Sequence, residues 1–182
     1  MIFLVFSILS SAAIYVIFKY IDRFNIKTFD VIIINYIVAA ILGLLLTNTH
    51  VDIFPIYKNN WFPYSVLIGV LFILMFVVIA KSSQFVGIAI TTVSNKMSVI
   101  IPITFSILID PLDILTNLKA AGIILAILAV FLSVYRKRKV EFDPRNIYLP
   151  IILFLGMGVV DSIVKYAQQY YVNDDVLPVF TV

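Results

Sequence analysis

Cysteine is absent from this chain of 182 residues, and histidine occurs once, as His50. Without thiols there is no disulfide framework, no thiolate nucleophile and no cysteine metal site. Charge is scarce as well. Only 13% of the residues are Asp, Glu, Lys or Arg, against ~25% in a soluble domain. What is abundant is apolar: 63% of the chain, where ~45–50% is ordinary. A core this small cannot bury that surplus, so lipid is the expected solvent. Globular, disordered and disulfide-rich classes drop out together. The net charge of +3 would suit nucleic acid, but most of the charges flank apolar runs. That placement suits membrane orientation, so the expected partner is a lipid bilayer and not a nucleic acid.

A spanning helix needs ~20 apolar residues. Six such runs stand in the sequence, at about Ile2–Tyr20, Val31–Thr47, Phe62–Ala80, Ser83–Ile109, Leu118–Tyr135 and Ile147–Ala167. Lipid offers no partner to an unpaired backbone group, so the runs are read as helices. A β-barrel would show short alternating segments, and these runs are apolar on all sides. The small residues Ser10 to Ala13 resemble a cleavage region. No charge precedes the run, however, and it continues to Phe18, so it reads as a first membrane helix.

The connections are short and polar: Asp22–Asp30, Asn48–Trp61, a tight turn near Lys81, a stretch opened by Asp110-Pro111-Leu112-Asp113, and Arg136–Asn146. Pro111 ends the helix before it. The first, third and fifth connections hold Lys19, Arg23, Lys27, Lys81, Arg136, Lys137, Arg138, Lys139 and Arg145; the second and fourth hold only Lys58 and Lys119. This alternation places the odd connections in the cytoplasm and the N-terminus outside.

The first run ends Ile17-Phe18-Lys19-Tyr20 and the sixth ends Ile163-Val164-Lys165-Tyr166. Both are followed by a polar stretch and then by renewed apolar residues, at Val31 and near Val176. An odd number of helices per repeat turns the second copy upside down, as in transporters that bind at the midplane. The organisation expected is a five-helix repeat over 1–139, a charged linker at 140–146 and the start of an inverted second repeat over 147–182. A seventh helix is expected near Val176, so the chain is expected to be a fragment of a longer protein.

Lys96-Met97-Ser98-Val99-Ile100-Ile101-Pro102-Ile103, followed after a turn by Leu118-Lys119-Ala120-Ala121-Gly122-Ile123-Ile124-Leu125-Ala126, resembles the EamA-type drug/metabolite transporter superfamily. The resemblance rests on a proline-bearing fourth helix and a small-residue opening to the fifth. It implies ten helices in two inverted five-helix repeats that move small metabolites. It also implies both termini in the cytoplasm, opposite to the charge pattern. Where many members have a glutamate before the fifth helix, this chain has Asp110 and Asp113.

Charge at membrane depth costs ~2.5–3.5 kcal/mol per residue on insertion scales and needs a reason. Lys96 stands near the middle of the fourth run, with Thr91, Thr92, Ser94 and Asn95 beside it. Together they are candidates to line a wet cavity, with Lys96 holding an anionic group or a carboxylate. The bland alternative is a snorkelling or structural lysine. Asp161 is a candidate partner for Lys96 or a proton-coupling carboxylate. Its alternative partner is Lys165, four residues on and on the same face. Asn35 and Tyr36, and the stripe Ser7, Ser11 and Tyr15, are read either as cavity lining or as helix–helix hydrogen bonding. Pro102 should kink the fourth helix. Gly122, Ala126, Ala129 and Ser133 form a small-residue stripe for close packing, and Trp61, Phe62, Tyr64, Tyr135 and Tyr148 an interfacial belt.

The sequence therefore predicts an all-α, multi-pass membrane bundle, located in a bacterial plasma (inner) membrane. Its expected function is secondary transport of a small-molecule metabolite or drug-like solute through a central cavity between inverted repeats. The alternative is a non-transporting membrane scaffold or partner subunit. An intramembrane enzyme is disfavoured, since no acid–base cluster or glycine-rich nucleotide loop appears. No cofactor and no metal are implied. The cavity would be completed by a homodimer partner or by further C-terminal helices. Intact mass spectrometry of the native gene product tests the fragment expectation. A mass well above 20.6 kDa is expected, and 20.6 kDa itself would leave assembly with another chain as the route to a cavity.

Overall fold

A backbone stripped of water must close its own hydrogen bonds, and every one of the expected runs is helical. The computed structural model describes residues 2–21, 24, 26–46, 56–109, 115–135, 144–172 and 180. Seven α-helices occur among them: α1 (Ile2–Ile21), α2 (Thr28–Leu46), α3 (Phe62–Phe85), α4 (Ile88–Met97), α5 (Ile100–Ile109), α6 (Asn117–Tyr135) and α7 (Tyr148–Tyr171). Short 3-10 turns at Ile56–Lys58 and Pro144–Ile147 precede α3 and α7. No strand occurs among the described residues.

Four segments are long and apolar enough to cross a membrane: Thr28–Leu45, Phe62–Phe85, Ile88–Ile109 and Arg145–Tyr171. Val5–Ile21 and Asn117–Ala129 are shorter apolar helices. Their outward surfaces are what lipid would meet. Leu44, Leu45, Leu118, Leu125 and Phe131 are exposed, with Leu118 at 86%.

Three expectations from the sequence require correction. Lys81 does not lie in a turn: α3 continues to Phe85, and the reversal falls at Val86–Gly87. The fourth run therefore begins at Ile88 instead of Ser83, and it is two helices, interrupted at Ser98–Val99. The second run also starts earlier than expected, at Thr28. That puts Asp30 in the first turn of α2, where a carboxylate favours the helix dipole. Asp110, Pro111, Asp113, most of the Arg136–Asn146 linker, His50 and the segment at Val176 lie outside the described residues.

The organising element is α7. It runs antiparallel to α3 and packs on α3, α4 and α5. Near one end Tyr64 stacks on Tyr171, with ring centroids 4.9 Å apart. Deeper in the pair, Ile68 clusters with Val160 and Ala167. Toward the other end Ile79 and Ala80 of α3 cluster with Leu153 and Met157, joined by Tyr15 and Phe18 of α1 and Ile32 of α2. In lipid such helices would gain nothing from apolar burial as such, and close approach would have to hold them together.

Gly156 and Gly158 make that approach. A Cβ at Gly156 would strike the Met75 thioether of α3. A Cβ at Gly158 would lie 2.6 Å from Cβ of Ile101 in α5 and 2.8 Å from its Cγ1. Two residues apart, the glycines point to opposite sides of the helix, so α7 is wedged between α3 and α5 with no side chain at these two points of contact. Gly158→Ala should cost ~1–3 kcal/mol, because the branched Cβ of Ile101 cannot swing clear. Gly156→Ala should cost less, because a methionine tip repacks and alanine favours the helix by up to ~1 kcal/mol. Thermal unfolding in mild detergent reads both, and equal losses at the two positions would contradict the wedge.

Candidate functional site

The reversal between α3 and α4 is built from side chains. Gly87 has φ +112°, a conformation L residues avoid. Ser82 O accepts from the backbone N–H groups of Val86 (2.8 Å) and Gly87 (3.0 Å). Thr91 donates its hydroxyl to Gly87 O at 2.9 Å. Having spent its proton there, Thr91 can only accept from Ser82, whose Oγ lies 2.7 Å away. At the same end, Lys19 Nζ donates to Gln84 O at 2.7 Å, and Gln84 Nε2 donates to Phe18 O at 3.1 Å and to Thr28 Oγ1 at 3.3 Å. These contacts tie the end of α1 and the start of α2 to the end of α3.

The interruption after Met97 has one cause in the sequence. Pro102 has no N–H for the carbonyl of Ser98, its partner one turn back in a continuous helix. That carbonyl accepts instead from Ile101 N at 2.9 Å, a tighter 3-10 bond. Ser98 Oγ in turn donates to Asn95 O at 2.6 Å. Pro102 is buried in the first turn of α5, where its ring is tolerated. The helix that Pro102 was expected to kink is interrupted at Ser98–Val99, one turn before the proline. From Ile88 to Ser98 is ~15 Å at ~1.5 Å per residue, half of a ~30 Å hydrocarbon core.

Polar residues gather just before this break. Thr91, Ser94 and Ser98 are buried and share one face of α4. Asn95 donates its side-chain amide to the hydroxyl of Tyr15, which is 4% exposed on α1. Thr92 is half-buried. Hydroxyls nearby fold back on their own helices: Thr91 on Gly87, Thr104 on Ile100 and Ser162 on Gly158. Ser94 Oγ does not. It is buried without a hydrogen-bond partner, as are Ser83 Oγ and Tyr36 Oη. An unspent buried hydroxyl costs ~1–3 kcal/mol and marks a place where a water or solute group fits.

Of the two partners the sequence offers Asp161, the structure sets it beside Lys96 and not Lys165. Lys165 does not pair with Asp161: its Nζ donates to Ser106 Oγ of α5 at 2.5 Å. Asp161, half-buried on α7, instead interacts electrostatically with Lys96 in the last turn of α4. The two sit on helices packed against each other. Lys96 is exposed. Asp161 lies ~15 Å from the Tyr171 end of α7, between the level where Gly158 meets Ile101 and the level where Lys165 meets Ser106.

The structure thus brings together Tyr15, Ser94 and Asn95 around one side of α4, and Lys96 and Asp161 on the side facing α7. It does not bring in Asn35, which is exposed. Its neighbour Tyr36 turns inward against Phe76, centroids 5.5 Å apart. Ser7 is exposed and Ser11 half-buried, so only Tyr15 of that stripe reaches the core. Gly122 is exposed and a Cβ there would meet nothing, so the α6 stripe does not face the bundle at that position. Trp61, expected in an interfacial belt, is buried edge-on to Phe180. The clamp of Ser82 and Thr91 escaped the sequence reading. The lone glycine inside the long apolar stretch was its available signal. A double-mutant cycle of Tyr15→Phe and Asn95→Ala should show coupling of ~0.6 kcal/mol, and no more than ~1.7 kcal/mol, the range for such bonds in membranes. Unfolding measurements that add without coupling would remove this contact from the site.

No family model matches the chain, and no solved structure matches it. It is similar to an uncharacterised protein of Haemophilus influenzae, 26% identical over 170 residues. The match covers 89% of this chain and 57% of that protein, so the chain spans little more than half the length of the relative.

Proposed function

We propose that the chain is part of a secondary transporter for a small solute, embedded in a bacterial plasma membrane, and that the polar break in Ile88–Ile109 opposite Asp161 forms one wall of the solute path. The observation that carries this reading is the break itself. A spanning segment interrupted at mid-depth, with polar side chains and ionisable groups around the gap, is how transporters build midplane sites. Placing Lys96 and Asp161 there costs ~2.5–3.5 kcal/mol each on insertion scales, and packing alone gives no reason for that expense.

Two further features support it. Lys19 lies at the Gln84 end of the bundle, whereas Lys165 lies toward the Tyr64 end. The two similar motifs thus close helices of opposite direction, as an inverted repeat of the EamA kind requires. Lys19 and Lys81 share one end with Arg145, which precedes α7. By the positive-inside rule that end is cytoplasmic. The relative's greater length leaves room for helices that would supply the opposite wall.

The absence of cysteine makes a clean test available. Thr92→Cys and Asn95→Cys, each as the single thiol in reconstituted vesicles, should react with a membrane-impermeant maleimide. Val70→Cys, at an exposed apolar position of α3, should not. Silence of both α4 positions from both sides would defeat the transport reading and leave the scaffold alternative.

A further inference from the structure

The charge on the α7 face of this site does not balance. The helices α4, α5 and α7 carry three charged side chains: Lys96, Asp161 and Lys165. Two ammonium groups stand against one carboxylate. Lys165 is not turned toward the end of its helix, because its Nζ is held on Ser106 Oγ at 2.5 Å. Asp161 interacts with Lys96 without forming a contact ion pair among the described residues. Lys96 and Lys165 are both exposed, and Lys96 stands at the broken end of α4, where no second carboxylate is found among the described residues.

Resting on the transport reading, we infer that the site takes a small organic anion, with Lys96 as its anchoring charge and Asp161 as the group that positions Lys96. A single negative charge on the solute completes the balance that the three helices leave open. The neighbouring groups suit it. Lys96 offers three donors and no acceptor. Thr92, one turn earlier on the same face of α4, offers a hydroxyl. A cation would meet an excess of positive charge, and a neutral solute would leave Lys96 unneutralised.

The test reads local potential directly and needs no knowledge of the natural solute. Thr92→Cys is treated with two methanethiosulfonates of similar size, 2-sulfonatoethyl (negative) and 2-(trimethylammonio)ethyl (positive). Each rate is divided by its rate with free 2-mercaptoethanol. The anionic reagent is expected to be favoured about tenfold, the low end of electrostatic focusing in a cleft. Lys96→Gln should abolish the preference, Lys96→Arg should keep it, and Asp161→Asn should increase it. If the Gln variant fails to fold, the ratio in the Thr92→Cys protein still decides. Equal rates, or a preference for the cationic reagent, overturn the anion assignment while leaving the water-filled path standing. No reaction with either reagent overturns the path itself, and the anion site with it.

Discussion

Pro102 cannot satisfy the carbonyl of Ser98, and in a segment without water that carbonyl must find another donor. The tight bond from Ile101 supplies one, and the helix breaks to make it. Much of the arrangement follows from this substitution of one hydrogen bond for another. The break ends α4 one turn after Ser94 and Asn95, so their polar groups stand at a helix end and not within a continuous barrel of backbone. It also places Lys96 in the last turn of α4, where a cation favours the partial negative charge of a helix C-terminus. A lysine at mid-depth in an unbroken helix would lack that partner.

The second constraint is steric. In lipid, where helices have no hydrophobic drive to associate, α5 would be held beside α7 by contact over a close approach. Gly158 permits that approach at Ile101, the same residue whose N–H rescues Ser98. The broken backbone and the helix that faces it therefore meet at one residue. A shift of α7 would move Ile101 and with it the repair of the break. The clamp at Ser82–Thr91 holds the beginning of α4 and the Lys19–Gln84 contact holds the end of α1, so α4 is anchored by side chains at its beginning and by the Ile101–Ser98 bond at its end.

The helices were legible because their cause is local. Runs such as Val31–Thr47 and Leu118–Tyr135 are apolar for a full membrane thickness, and no other structure suits them. The ends were legible to within a few residues where a proline or a charge cluster marks them. The α3–α4 reversal was not. Lys81 and Ser82-Ser83 look like a polar turn in sequence, but the hydroxyls face inward and Gly87, five residues on, bears the unusual dihedral. Lys96 and Asp161 were found because charge in an apolar run is conspicuous. The choice between Lys96 and Lys165 as the partner of Asp161 could not be made from spacing, since helical periodicity favours Lys165. It depends on Ser106, which sequence separation hides.

That choice shapes the electrostatics of the site. Had Lys165 taken Asp161, the α7 face would hold a self-neutral pair and an isolated Lys96, and the lysine would read as a snorkelling side chain. Holding Lys165 on the Ser106 hydroxyl leaves Asp161 to Lys96, so that α4, α5 and α7 carry two cations against one carboxylate. The hydroxyl neutralises no charge. In a low-dielectric slab such an excess would exert its field on whatever enters beside it, because few mobile ions would screen it there. The proposed preference for an anion would then arise from where one serine stands on α5 as much as from the lysine.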